Sequence, residues 1–228
     1  MQRNEGIEIS VIIPTHNCAQ YLFKSVESLK NQNTKRAVEI IVVDDGSDQL
    51  NRYGNHAVAE IFDVEYLPYS PHANANVARN FGYKMSSGSY LVFADSDCVY
   101  GPDFLETLRT ALDEHPSAPY AYSNFQFTGK MEHVHISREY SSERIRERNF
   151  IDTSAMIRRP CFPGFDPTVR RLQDWDLWLT IDESDDRWGW PHWVNATLYE
   201  NHVRNDSVSV TENYEKALKK IQHKHNLL

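Results

Sequence analysis

Apolar residues arrive along this chain in short runs that stop abruptly at polar clusters. The run IEISVIIPTHN (residues 7–17) is β-branched and nearly continuous, which is how a strand buried on both faces of a parallel sheet reads. Residues 18–32 then place Ala19, Leu22, Phe23, Val26 and Leu29 at helical spacing, predicting a helix that covers the sheet. A second apolar run, Val38 to Val43, ends in Asp44-Asp45-Gly46-Ser47-Asp48, a turn composition that also suits a helix cap. Strand, helix and strand in this order make a right-handed crossover unit of an α/β sheet.

The same alternation predicts a strand over 62–67, a helix over 73–87 closed by Ser-Ser-Gly88, and a strand over 89–94 running into Asp95-Ser96-Asp97. A helix is expected over 102–115 with Pro102 at its start, and strands over 120–127 and 152–157. Helices are expected over 174–182 and 210–225. Residues 130–150 are polar and of mixed charge, and read as a mobile excursion able to close over a site or as an ordinary surface helix, for which Ser141-Ser142-Glu143 through Arg148 offers a cap and some pairing. No repeat or linker interrupts the chain, so one domain is expected, in halves of about 7–100 and 101–210 with a terminal helix of about 210–226.

Composition narrows the partners. Among 228 residues, 32 acidic side chains outweigh 24 basic ones, for a formal charge of −8. That balance argues against a nucleic-acid binder, which needs clustered Lys and Arg. No apolar run has the span of a membrane helix, and the opening MQRNEGIEIS lacks an apolar signal core. Cys18, Cys98 and Cys161 are scattered and odd in number, a usage that fits reduced thiols and a cytoplasmic setting. The Asn195-Ala-Thr and Asn205-Asp-Ser sequons are then chance matches.

Chemistry-bearing residues gather where strands end: Thr15, His16 and Asn17, then Asp44 and Asp45, then Asp95 and Asp97. In an open parallel sheet those ends share one edge, where ligands bind. One aspartate after a strand means little, because aspartate caps turns; three clusters on one edge are harder to attribute to capping. Neither GxxxxGK[ST] nor GxGxxG occurs. A phosphate at this edge would be neutralised by a divalent cation on carboxylates.

The segments SVIIPTHN, EIIVVDDGSD, NVARNFG, GSYLVFADSD and QDWDLWL resemble, in that order, the motifs of family 2 glycosyltransferases. The resemblance runs from about residue 8 to residue 209. It implies a GT-A fold: a Rossmann-like, mostly parallel α/β sheet flanked by helices, with a DxD motif. It also implies an inverting transfer of a sugar from a nucleotide diphosphate, UDP-linked, to a saccharide or glycolipid hydroxyl. By that likeness Thr15, Asp44 and Asp45 hold the nucleoside, and Arg79 sits near the base or diphosphate, unless it simply pairs with a strand-end aspartate. Asp95 reaches the ribose or a metal water, and Asp97 ligates Mn²⁺ or Mg²⁺. Cys98 stands where many relatives carry another aspartate and reads as a buried spectator. Asp174 falls at the base position, with a helix N-cap as its other reading. LYENHVRNDSVS makes His202 either a further metal or diphosphate contact or a structural histidine.

Departures from the pattern are informative. Asn74 replaces a common glycine, His72 a common asparagine, and Gln173 the glutamate that often precedes the base. All five tryptophans lie between 175 and 193. Trp178 reads as core, whereas Trp190 and Trp193 stay open between core and a sugar-stacking acceptor site. His133 and His135 alternate as on a solvated strand face. An arginine excess between 138 and 171 reads as a paired, solvated face or as a meeting point for an anionic acceptor or a membrane surface. Two rival functions share the same sheet: a sugar nucleotidyltransferase and a nucleotide-sugar-binding module without turnover.

Overall fold

The computed structural model describes residues 6–184, 188–204 and 212–227. The Asn205 sequon, the serines 207 and 209 and the expected first residues of the terminal helix lie outside that set.

The early apolar runs form strands β1 (Ile9–Thr15), β2 (Val38–Asp45), β3 (Glu65–Tyr69) and β4 (Tyr90–Phe93). They are separated by helices α1 (Ala19–Lys30), α2 (Gln49–Phe62) and α3 (Ala75–Met85). Pairing is parallel throughout this half: Ile12 stands opposite Ile41 and Phe93, and Asp45 opposite Tyr69. Beyond it follow β5 (Cys98–Tyr100), α4 (Phe104–Glu114), β6 (Tyr120–Gly129), β7 (His133–His135), α5 (Ser142–Glu147), β8 (Met156–Arg158), α6 (Gln173–Ser184), β9 (His192–Val203) and α7 (Tyr214–Lys224). The sheet runs β3-β2-β1-β4-β8-β6-β9-β5, with β7 on β6. This second half is mixed: β8 is antiparallel to β4 and β6, while β6 and β9 run parallel. The architecture is a GT-A α/β fold.

Both faces of the sheet are covered, as the unbroken apolar runs require. Ile9, Val11 and Ile13 pack with α1 and α4 residues such as Leu22, Val26 and Leu108. Ile12, Ile41 and Val43 pack on the other side with Ala78 of α3 and Leu177 and Trp178 of α6. Gly82 lets α3 lie close to the sheet, since a Cβ there would come within 2.5 Å of Ile12 and 3.0 Å of Val43. Burying such a branched side chain contributes about 1.5–3 kcal/mol each.

Several boundaries differ from the expectation. Phe62 ends α2 rather than opening a strand, because Asp63 closes that helix in the left-handed region at φ 50°. Pro102 precedes α4 by two residues, and Asp103 is the N-cap. Only the end of the expected strand 152–157 is extended, as β8. Residues 130–150 contain β7 and α5, the capped helix being one of the two readings of this stretch. Ser141 caps α5 through the Arg144 N–H, and Ile145 and Phe150 are buried. Two strands were not anticipated, β5 and the long β9. Among the described residues no helix is long and apolar enough to cross a membrane.

Candidate active site

Register brings the polar strand ends together. Thr15 lies opposite Asp44, while Ala94, just before the DxD motif, donates its N–H to the Ile12 carbonyl. After β2 the chain turns at Gly46, φ 68°, where a Cβ would meet the His72 backbone at 2.7 Å. Asp44 sits beneath this turn, accepting from the Ser47 N–H (2.8 Å), Asn55 Nδ2 (2.9 Å) and the Tyr66 hydroxyl (2.8 Å). Burial raises its pKa, but those bonds prevail and hold the carboxyl below its ordinary value. Asp44, expected to face the nucleotide, thus organises the turn. Asp45 accepts from the Ala73 N–H (2.9 Å) and lies 2.9 Å from His72 Nδ1. The His72 ring stacks on His16 at 3.9 Å. Asn74 caps α3 by accepting from the Asn76 and Val77 N–H groups, so this departure from the glycine pattern supplies a helix start.

Two buried donors at this edge have no protein partner among the described residues: Thr15 Oγ1 and Arg79 Nε. Arg79 is 2% exposed, yet the rest of its guanidinium is engaged: Nη1 donates to Asn76 Oδ1 (3.1 Å) and Nη2 to Asp95 Oδ1 (2.7 Å). The ion pair with a strand-end aspartate, one of its two readings, is therefore present. Native interiors pair nearly all such groups, so the orphaned atoms mark places where a ligand can bond.

Ligand atoms of Asp95, Asp97 and Cys98 lie within 4.8 Å of one another. Burial first and the neighbouring Asp95 second raise Asp97 to a pKa of about 6, although Arg204 Nε donates to its Oδ2 at 2.9 Å. The Cys98 thiol is buried, and its pKa is pushed well above the usual value, so it stays protonated and leaves the two carboxylates as donors. Crowded carboxylate oxygens suit a hard divalent ion, and this donor set fits Mn²⁺ or Mg²⁺. His202 is not in that group. Its backbone N–H donates to the Asp97 carbonyl, and its ring packs on Tyr21 at 5.3 Å and reaches Thr128 Oγ1 at 3.4 Å.

Asp174 occupies the first turn of α6. Its Oδ2 accepts from Asn149 Nδ2 (2.7 Å) and its Oδ1 from the Trp175 N–H (2.8 Å). Burial, followed by the charge of Asp152, lifts its pKa to about 7. Asp152 is itself raised by burial and by Asp95. Asp174, Asp152, Asp95 and Asp97 are thus linked in one electrostatic series along the edge.

The glycosyl transferase family 2 model matches residues 10–170, most of this series and the sheet beneath it. This chain belongs to that family. It is 32% identical over 143 residues to the glycosyltransferase GlyA of Streptococcus pneumoniae serotype 4, covering 60% of this chain and 20% of that protein. The family 2 chain therefore spans about a fifth of that relative's length. Among solved structures, S. aureus TarS in complex with UDP superposes with a TM-score of 0.73 at 16% identity, over 96% of this chain and 71% of that one. The mannosyltransferase PcManGT of Pyrobaculum calidifontis, solved with GDP-Man and Mn²⁺, gives 0.66 at 15% identity, over 98% and 63%.

Sequence reasoning missed three residues of this family 2 site. Asp152 follows no motif and lies in the irregular segment before β8. Arg204 comes just after His202 in a segment singled out for its histidine. Asn149, which holds Asp174, sits at the end of the stretch read as mobile. The tryptophans divide as the spacing suggested: Trp175 and Trp178 are buried, their indole N–H groups bonded to the Ile145 and Ile151 carbonyls. Trp193 donates to Asn124 Oδ1 (3.0 Å), while Trp190 is exposed.

Proposed function

We propose that this chain transfers a sugar from a UDP-linked donor to the hydroxyl of a saccharide or glycolipid acceptor, inverting the anomeric carbon. The observation that carries the reading is Asp174, a half-buried carboxyl poised at about 7 in electrostatic reach of the DxD edge. A base balanced near neutrality can take the acceptor's proton without becoming too weak to hold it. A single displacement needs one such base and no covalent intermediate.

The nucleoside would lie over Thr15 and Asp45, whose oxygens can accept an imide N–H and a ribose hydroxyl. Arg79 Nε and Asp95 border the same space. Mn²⁺ or Mg²⁺ on Asp97 and Asp95 would supply charge to stabilise the departing diphosphate. His202 would be a further contact to that ion or to the diphosphate. TarS, solved with UDP, supports the uridine reading; PcManGT, solved with GDP-Man and Mn²⁺, supports a metal-dependent donor. Three buried cysteines, scattered along the chain and odd in number, support a cytoplasmic setting.

Incubation with Mn²⁺ and a panel of nucleotide sugars tests the proposal. Release of nucleoside diphosphate, with a product of inverted anomeric configuration by NMR, is expected. It should stop in EDTA and in the Asp97→Ala variant, which stays folded. Pyrophosphate would indicate a nucleotidyltransferase, and binding without turnover a module; either would overturn the transferase reading.

A further inference from the structure

A second site lies at the other end of the sheet. Tyr120 opens β6 and pairs with Ile157, whose neighbour Arg158 pairs with Tyr90 at the start of β4. The DxD motif follows the far end of β4. Helix α6 joins the two regions: Asp174 is in its first turn and Asp182 eight residues on, about 12 Å along the axis.

Between these elements is a cleft of about 560 Å³, lined among others by Tyr120, Tyr140, Ser142, Asp182, Trp188 and Trp190. That volume falls in the range of small-ligand sites. Its wall is aromatic and open: Trp190 is 66% exposed and lies 5.6 Å from the Tyr140 ring. Its floor is polar and fixed, with the Asp182 carboxylate accepting from the Tyr140 hydroxyl (2.5 Å) and from Ser142 (2.6 Å). The Tyr120 hydroxyl is also here. The residue is 0% exposed, and its oxygen has no partner among the described residues.

These features select one ligand chemistry. The Asp182 carboxylate repels phosphates and uronates, and among the described residues that line the cleft there is no Lys or Arg to offset it. A wholly apolar occupant would leave the Tyr120 hydroxyl unpaired and bury the Asp182 charge against hydrocarbon. A neutral pyranose meets both demands, with a C–H face for the indole and hydroxyls for the carboxylate and phenols.

We propose that this cleft is a non-catalytic saccharide site that holds a neutral sugar unit of the acceptor chain, remote from the DxD edge. Assigning that sugar to the acceptor rests on the transferase reading; the binding does not.

Titration with chitotriose, cellotriose and mannotriose, followed by tryptophan fluorescence and indole N–H resonances, tests it. At least one of these should shift Trp190 saturably, and trigalacturonate should not. Trp190→Ala, a change at an exposed position, should bind about tenfold more weakly or worse. Tyr120→Phe should keep or raise thermal stability, because it removes an orphaned hydroxyl, yet weaken binding several-fold. UDP with Mn²⁺ should leave the affinity unchanged. The proposal is overturned if none of the three shifts Trp190 at tens of millimolar, or if UDP with Mn²⁺ displaces the sugar, which would place it at the donor edge. Shifts that follow protein concentration instead of sugar would make the face an interface between copies and overturn it as well. Sugar transfer without binding here would sink the cleft alone, whereas binding without transfer would sink only the transferase reading.

Discussion

The turn after β2 and the start of α6 each hold an aspartate in a polar setting, fully buried in the first and half-buried in the second, and the two carboxyls are pushed in opposite directions. Under the turn, Asp44 accepts from a backbone N–H, an amide and a hydroxyl, and its pKa falls. At α6, Asp174 accepts from the Asn149 amide and the Trp175 N–H. There, burial and the charge of Asp152 outweigh what those bonds contribute, and the pKa rises to about 7. Burial opposes ionisation in both. The outcome turns on how many donors converge and whether another carboxylate faces the group. One arrangement holds a loop together, and the other holds a carboxyl near neutrality.

The largest effect follows from removing the poised group. Asp174→Asn keeps size and capping ability but cannot accept a proton, so turnover should fall by about 10²–10⁴-fold, with donor affinity nearly unchanged. Steady-state rates and donor binding by calorimetry check this. Loss of donor binding or of the fold would make Asp174 a structural partner like Asp44. The reverse signature is expected under the turn. Asp44→Ala leaves the Ser47, Asn55 and Tyr66 donors without their acceptor and should cost roughly 2–3 kcal/mol in urea unfolding. Because the Asp44 carboxyl titrates lower in the folded protein, its contribution is present above the ordinary aspartate value and lost as pH falls through the folded one.

A smaller effect involves the other acid in the first turn of α6. Asp176 is buried and bonds His225 Nε2 (2.9 Å) and Lys224 Nζ, while His225 Nδ1 meets Glu183 (2.8 Å), fastening α7 onto α6. Burial works to lower the His225 pKa, but the bonds to Asp176 and Glu183 prevail and raise it. With the folded value above the unfolded one, the clamp stabilises fully below the ordinary histidine pKa and weakens as pH rises through the folded value. Amide exchange over 214–224 should therefore quicken on the alkaline side of neutrality. His225→Gln should flatten that dependence.

How much of this was legible follows from where the apolar residues lie. β1, β2 and β4 are buried on both faces, so their runs are unbroken and their polar ends stand out, and with them Thr15, Asp45, Asp95 and Asp97. β9 sits near the sheet's far edge with most of its residues partly exposed, and β5 has only three residues. Neither offers a pattern to read. α5 shows in the sequence only as a cap at Ser141 and paired charges through Arg148, since Ile145 is its one buried residue. Asp44 and Asp45 are indistinguishable in sequence and both are buried; only the donors around each separate them, three converging on Asp44 and the Ala73 N–H and His72 meeting Asp45. Asp152 carries no motif, and its weight comes from its place between Asp95 and Asp174.

The most direct test of the contrast is a carboxyl ¹³C NMR titration of the aspartates, with Asp174→Asn and Asp44→Asn used to assign the two signals. The account predicts an Asp174 midpoint near 7, moving toward acid in Asp152→Asn, and an Asp44 midpoint below the ordinary aspartate value. An Asp174 midpoint in the ordinary carboxylate range, unmoved by the loss of Asp152, would contradict it.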